Sequence, residues 1–211
     1  MLFGATLMFK AHRSTLLIAG LFLLIVVIVS AISSFWPTQE SWFFELGLLG
    51  KNKMADEYFA DDNSLVDVGA VNSWFIYIHN HMGNEQNVSV RVKLLNFTME
   101  LPDNREHRPS NAVSLKEFPL SLLDNETALI PFSWSLLEVE PRNGLISIKR
   151  ISVNEQSVDV NVSASTNSSF RIVFELWVQN SSSGEYLFSW DSRKGFASAS
   201  TYIGFKIKYN L

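Results

Sequence analysis

Three histidines have the most obvious capacity for chemistry in this chain. His79 and His81 are two apart, a spacing that puts both on one face of a strand, and His107 could bring a third ring nitrogen to a metal ion. The bend residues Asn80 to Asn84 set the pair beside solvent, and no carboxylate stands at a fixed ligand offset, so no metal site is expected. Asp56, Glu57, Asp61, Asp62, Asn63 and Asp67 form an oxygen-rich stretch with some capacity for calcium. It lacks the D-x-[DN]-x-[DN]-G order of a dedicated loop, and a solvated acidic loop is the expectation. Glu138 and Glu140 would share a strand face as a carboxylate pair of the kind glycoside hydrolysis uses, although paired charges beside a turn commonly just face water. Serine is abundant, yet there is no G-x-S-x-G, no matching Ser, His and Asp pattern and no glycine-rich phosphate loop. Trp134, Trp177 and Trp190 could form a sugar-stacking platform if exposed, whereas alternating strands more often bury tryptophan. No catalytic residue, cofactor or metal is therefore expected.

Composition narrows the partners. The absence of cysteine excludes disulfides, thiolate metal sites and cysteine nucleophiles together. Lys10 and Arg13 precede residue 35, so beyond it 15 Lys and Arg face 21 Asp and Glu. Clustered cations, which phosphate binding needs, are missing, and nucleic acid is not an expected partner.

Leu16 to Ile32 is an unbroken apolar run, and the 177 residues from 35 onward hold no second one. Extended to Ser14–Ser34 it reaches 21 residues, which at ~1.5 Å each spans about the 30 Å hydrocarbon core of a bilayer. Lys10 and Arg13 lie before it and no acidic residue occurs up to residue 34, so the positive-inside bias puts the N-terminus in the cytoplasm. The expected layout is a cytoplasmic tail over 1–13, a transmembrane signal anchor over 14–35, a linker over 36–41 and an extracytoplasmic domain over 42–211. Val29-Ser30-Ala31 has the small residues of a signal-peptidase site, but the run exceeds the usual 7 to 15 apolar residues, which favours an uncleaved anchor. Phe35, Trp36, Trp42, Phe43 and Phe44 would serve either as an aromatic belt or, for the last three, as the start of the core. N-x-[ST] sequons stand at Asn87, Asn96, Asn125, Asn161, Asn167 and Asn180, all after the run, as acceptors on an exported domain should. From 16 Asn and 34 Ser plus Thr, chance would give about 2.6.

The outer domain must position whatever acts. Period-two apolar patterns predict strands over Trp42–Leu49, Trp74–Asn80, Asn87–Asn96, Glu117–Leu122, Ala128–Leu136, Leu145–Val153, Ser157–Ser163, Phe170–Gln179, Tyr186–Trp190 and Thr201–Tyr209. Turn residues at His81–Asn84, Pro141–Gly144 and Ser181–Gly184 support hairpin joints. Eight to ten such strands read as an antiparallel β-sandwich. Trp74–Asn80 is apolar on both faces and should lie centrally, and Phe170, Ile172, Phe174, Leu176 and Val178 should face the partner sheet. Leu101 to Lys116 is the longest stretch without periodicity, and loops of that length are usually functional or disordered.

Phe44 to Asn52 with Ala55 and Tyr58, Trp74 to Gly83 with Val90 to Asn96, and Arg171 to Val178 together resemble an archaeal membrane family catalogued as domain of unknown function 1616. Its outer part is similar to immunoglobulin-like adhesion modules, and the likeness covers roughly residues 40 to 208. The resemblance implies an archaeal surface location and an immunoglobulin-like sandwich, and it implies no reaction and no catalytic residues. Many members have several membrane helices where this chain has one.

The expected function is a non-enzymatic, membrane-anchored outer module that contacts other membrane or envelope proteins, as an accessory subunit of a complex. The alternative is a glycan-binding or adhesion module. Expected partners are membrane lipid through the single helix, envelope proteins and N-glycans.

Overall fold

The computed structural model describes residues 20–30, 42–59, 63–188 and 200–208. Contacts divide the chain into two units, residues 1–40 and 41–211. In the first, residues 20–30 are helical. Leu21 through Val29 each leave 46% to 69% of their surface open, so the helix is apolar on every side, the pattern of a helix surrounded by core or lipid. No helix among the described residues is long and apolar enough to cross a membrane. Residues 14–19 and 31–35 of the expected anchor, the tail 1–13 and the linker 36–41 lie outside the described residues.

The second unit is all-β. Its strands are β1 (Phe44–Leu49), β2 (Leu65–Val66), β3 (Asn72–Asn80), β4 (Gln86–Asn96), β5 (Ser114–Leu122), β6 (Thr127–Arg142), β7 (Leu145–Val153), β8 (Gln156–Ser165), β9 (Phe170–Gln179), β10 (Tyr186–Phe188) and β11 (Ser200–Ile207). One sheet has the order β1-β3-β6-β7-β8 and the other β2-β11-β9-β4-β5, with β10 also on β9. The chain crosses between sheets from β3 to β4, returns from β5 to β6, and crosses again from β8 to β9. Each expected strand has a counterpart, and the eleventh is β2.

Three departures from expectation have physical causes. The β2–β11 pair is parallel, joining Leu65 to Lys206 and Val66 to Ile207, so the sandwich is not wholly antiparallel. Two residues show no periodicity, which hid β2. Strand β6 runs six residues past Leu136 because a bulge between Leu136 and Glu138 resets the alternation. Pro131 sits inside β6 without breaking it: β7 reaches only to Trp134, leaving β6 a free edge at the proline where no N–H is required. Asn154 closes that edge, accepting from the Ser133 amide at 2.7 Å and donating to the Pro131 carbonyl at 3.0 Å.

The core lies between the sheets. Trp74, Phe132 and Trp134 of the first sheet meet Phe174 and Phe205 of the second, with ring centroids 5.1 Å apart for Phe132–Phe174 and 4.9 Å for Trp134–Phe205. Strand β3 lies inside its sheet between β1 and β6, with Trp74, Ile76 and Ile78 buried and Phe75, Tyr77 and His79 half-buried, while β6 holds the middle position expected of β3. Each fully buried apolar side chain contributes about 1.5–3 kcal/mol. Asn80, fully buried at the end of β3, ties two turns together. Its amide nitrogen lies within 3.0 Å of the carbonyls of Asn84, Leu122 and Leu123, and its oxygen accepts from the Met82 amide at 2.9 Å.

Candidate functional site

The outer face of β4 and β9 is where polar chemistry and burial coincide. Alternation turns Val88, Val90, Val92 and Leu94 of β4 inward and leaves Ser89, Arg91, Lys93 and Leu95 outward, while β9 sends Arg171, Val173, Glu175 and Trp177 outward. An outward face normally meets water, yet Ser89, Lys93, Leu95, Val173 and Glu175 are all buried. Over Lys93 and Glu175 lies the segment 97–113 between β4 and β5, whose Ser110 bonds to both. The aperiodic stretch expected over Leu101–Lys116 is thus an ordered cover, and its last residues, Ser114 to Lys116, belong to β5.

One residue, Ser110, fastens that cover. Its amide and hydroxyl donate to Glu175 Oε1 at 2.8 and 2.6 Å, and its carbonyl accepts from Lys93 Nζ at 2.7 Å. Lys93 Nζ stands 2.9 Å from Glu175 Oε2, which also accepts from Trp177 Nε1 at 3.2 Å. Four donors therefore saturate a carboxylate with no exposed surface, the condition under which a buried charge is tolerated. The tip of the cover is built around Asp103, which exchanges two backbone bonds with Arg108. Backbone amides of Glu106 and then Arg105 hold its carboxyl below the usual aspartate value.

Aromatic and guanidinium groups rim the covered centre. The Arg91 guanidinium stacks 3.7 Å from the Trp177 ring and pairs with Glu117 at 3.1 Å. Arg171 lies 4.3 Å from the ring of Phe97 and 5.5 Å from that of Tyr202, and those rings are 59% and 51% exposed. Arginine and aromatics presented together have the composition of protein-contact hot spots.

The histidines occupy the other sheet. The ring of His79 on the outer face of β3 and that of His81, the first residue after the strand, lie 4.0 Å apart and tilted by 40°; His79 Nδ1 meets Thr127 Oγ1 at 2.6 Å and His81 Nε2 meets Glu45 Oε1 at 3.2 Å. Glu45 also accepts from the Tyr77 hydroxyl, which desolvation and then Glu45 hold above its usual value. His107 belongs to the cover over the second sheet and does not join the pair. Among the described residues no group of three or more His, Cys, Asp or Glu is placed to hold a metal ion.

The other candidates also separate. Glu138 pairs with Arg150 at 3.0 Å and Glu140 with Lys149 at 3.7 Å, so the carboxylate pair forms two cross-strand ion pairs. Glu57 pairs with Lys51 and Asp67 with Lys208, each at 3.5 Å, and Asn63 caps the Leu65 amide, while Asp61 and Asp62 lie outside the described residues. Trp134 is in the core and Trp177 is on an outer face, so these two share no platform, and Trp190 lies outside the described residues. Sequence reasoning passed over Phe97, Tyr202 and Ser110. An exposed aromatic at the first residue after a strand was the available signal for Phe97.

Of the sequons, Asn87, Asn125, Asn161 and Asn167 are exposed and Asn180 is half-exposed. Asn96 differs, because its amide donates to the Ser163 carbonyl at 2.7 Å across the two sheets while its oxygen accepts from Thr98 and Met99.

Neither a protein-family model nor a curated protein matches this chain. Among solved structures, it is similar to the CARDB domain of the PF1109 protein of Pyrococcus furiosus, solved in complex with di-metal ions. The identity is 13% and the TM-score 0.36, over 81% of this chain and 96% of that one. It is also similar to Spo0M, a sporulation control protein of Bacillus subtilis, at 9% identity and a TM-score of 0.37 over 81% of this chain, which spans 50% of that protein.

Proposed function

We propose that this protein is a non-enzymatic, membrane-anchored, extracytoplasmic interaction module, an accessory subunit of a membrane or envelope complex. The observation that carries the interaction reading is the outer face of the second sheet, where Phe97, Arg171 and Tyr202 stand at the rim of a centre whose Glu175 carboxylate is already saturated by Ser110, Lys93 and Trp177. A partner meeting such a face orders few side chains of this protein, because they are already stacked, and that lowers the entropic cost of binding. The anchor reading is supported by the apolar run and by the all-round exposure of Leu21 to Val29, the charge bias of Lys10 and Arg13 supports the orientation, and the exposed sequons fit an exported domain carrying N-glycans. The two-sheet architecture with crossing connections supports an immunoglobulin-like sandwich, and the sequence resemblance supports the archaeal family named above.

Mild crosslinking of native membranes followed by affinity purification tests the reading. A stoichiometric partner whose crosslinks map to peptides containing Phe97 or Tyr202 supports it, and recovery of the free monomer alone contradicts it. The glycan-binding alternative draws on the same two exposed rings, but the Arg171 guanidinium lies beside both, where a sugar would have to stack.

A further inference from the structure

The geometry points to Arg171 as a docking point for a carboxylate on an acidic segment of a partner protein, an inference that rests on the interaction reading and names the partner's chemistry. Arg171 makes ring contacts with Phe97 and Tyr202 and has no carboxylate partner among the described residues. The other arginine on this outer face, Arg91, is already paired with Glu117. In register beside Arg171 stand Leu95 on β4, which is buried, and Gly204 on β11, which has no side chain. A Cβ at Gly204 would touch only the Phe170 carbonyl at 3.8 Å, so no side chain of β11 stands in register beside Arg171. Two residues further along the same face, Lys206 is exposed and likewise without an ion-pair partner among the described residues.

Two unpaired cations in a domain that is acidic as a whole make a local positive point, to which an anion is complementary. The guanidinium's planar fork matches a carboxylate with two parallel hydrogen bonds, and flanking rings limit the rotamers lost on binding. A lipid surface is the poorer fit, since two cations on a net-negative domain gain little from an anionic bilayer. The aromatic bracket also suits a protein segment, whose apolar side chains can rest on Phe97 and Tyr202 beside the carboxylate.

The test pans a displayed library of random decapeptides against the full chain in detergent. Enriched peptides rich in Asp or Glu, bound roughly tenfold or more weakly by Arg171→Glu, are the expected result. Peptides in which the acidic residues are replaced by lysine should regain binding to Arg171→Glu. Arg171→Lys, which keeps the charge and loses the fork, and Tyr202→Ala, which removes one ring, should each weaken binding, and circular dichroism checks that the variants fold. Enriched peptides without carboxylates, no enriched peptide at all, or equal binding to Arg171→Glu would overturn the inference. If Arg171→Glu still recovers the crosslinked partner from native membranes, the Arg171 inference falls and the interaction module stands. If no partner is recovered with the unaltered chain, the module itself falls.

Discussion

Lys93 and Glu175 are diagonal neighbours on adjacent strands, 2.9 Å apart and both buried on a sheet face that would otherwise be wet. Removing one partner strands the other in a low-dielectric site, so Lys93→Met or Glu175→Leu alone should cost about 3–5 kcal/mol, and the double variant markedly less than their sum. Urea unfolding of the three variants checks this. Additive losses would show that the pair acts as two independent side chains.

Asn80 should be nearly irreplaceable. Asn80→Leu keeps the bulk but removes the amide that bonds the Leu122 carbonyl and the oxygen that accepts from the Met82 amide, at about 1–3 kcal/mol for each group left buried and unpaired. A fall in the thermal midpoint as small as that of an exposed control, Ser121→Ala, would show that the two turns hold themselves.

Acid should loosen the cover before it unfolds the sandwich. Because backbone amides lower the folded value of Asp103, its contribution is present above the unfolded value near 3.8 and is lost as pH falls through the lower folded value. Asp103→Asn should remove that component, seen as a smaller change in proteolysis at residues 103–108 between about pH 6 and about pH 2. An identical acid response in both proteins would assign the effect to another group.

If the domain is exported in a glycosylating host, exposed Asn161 and Asn167 should carry glycan and Asn96 should not, since its amide is spent on Ser163. Intact-mass and glycopeptide mapping would decide it. Full occupancy at Asn96 would mean that modification precedes folding or that the inter-sheet bond is dispensable.

The strand pattern was legible because turning one face of a strand toward the core imposes period two, and Phe170, Ile172, Phe174, Leu176 and Val178 do face the core, although Val173 and Glu175 on the other face of β9 are buried as well. What broke the period was hidden: the Leu136–Glu138 bulge concealed the last third of β6, and β2 is too short to carry a pattern. Alternation with Phe174 and Leu176 places Glu175 on the face away from the core, yet its meeting with Ser110, 65 residues earlier, is announced by no local pattern. The histidine and carboxylate candidates failed for the converse reason, since spacing along a strand fixes a face but not which cross-strand neighbour neutralises each charge.

The most direct test of the interaction reading places a photo-crosslinking amino acid at Tyr202 on the proposed contact face and, separately, at Leu129 on the outer face of the other sheet, in the full chain in its native host cells. An adduct of one defined mass from position 202 and none from 129 is the predicted result. No adduct from 202, or the same adducts from both positions, would contradict it.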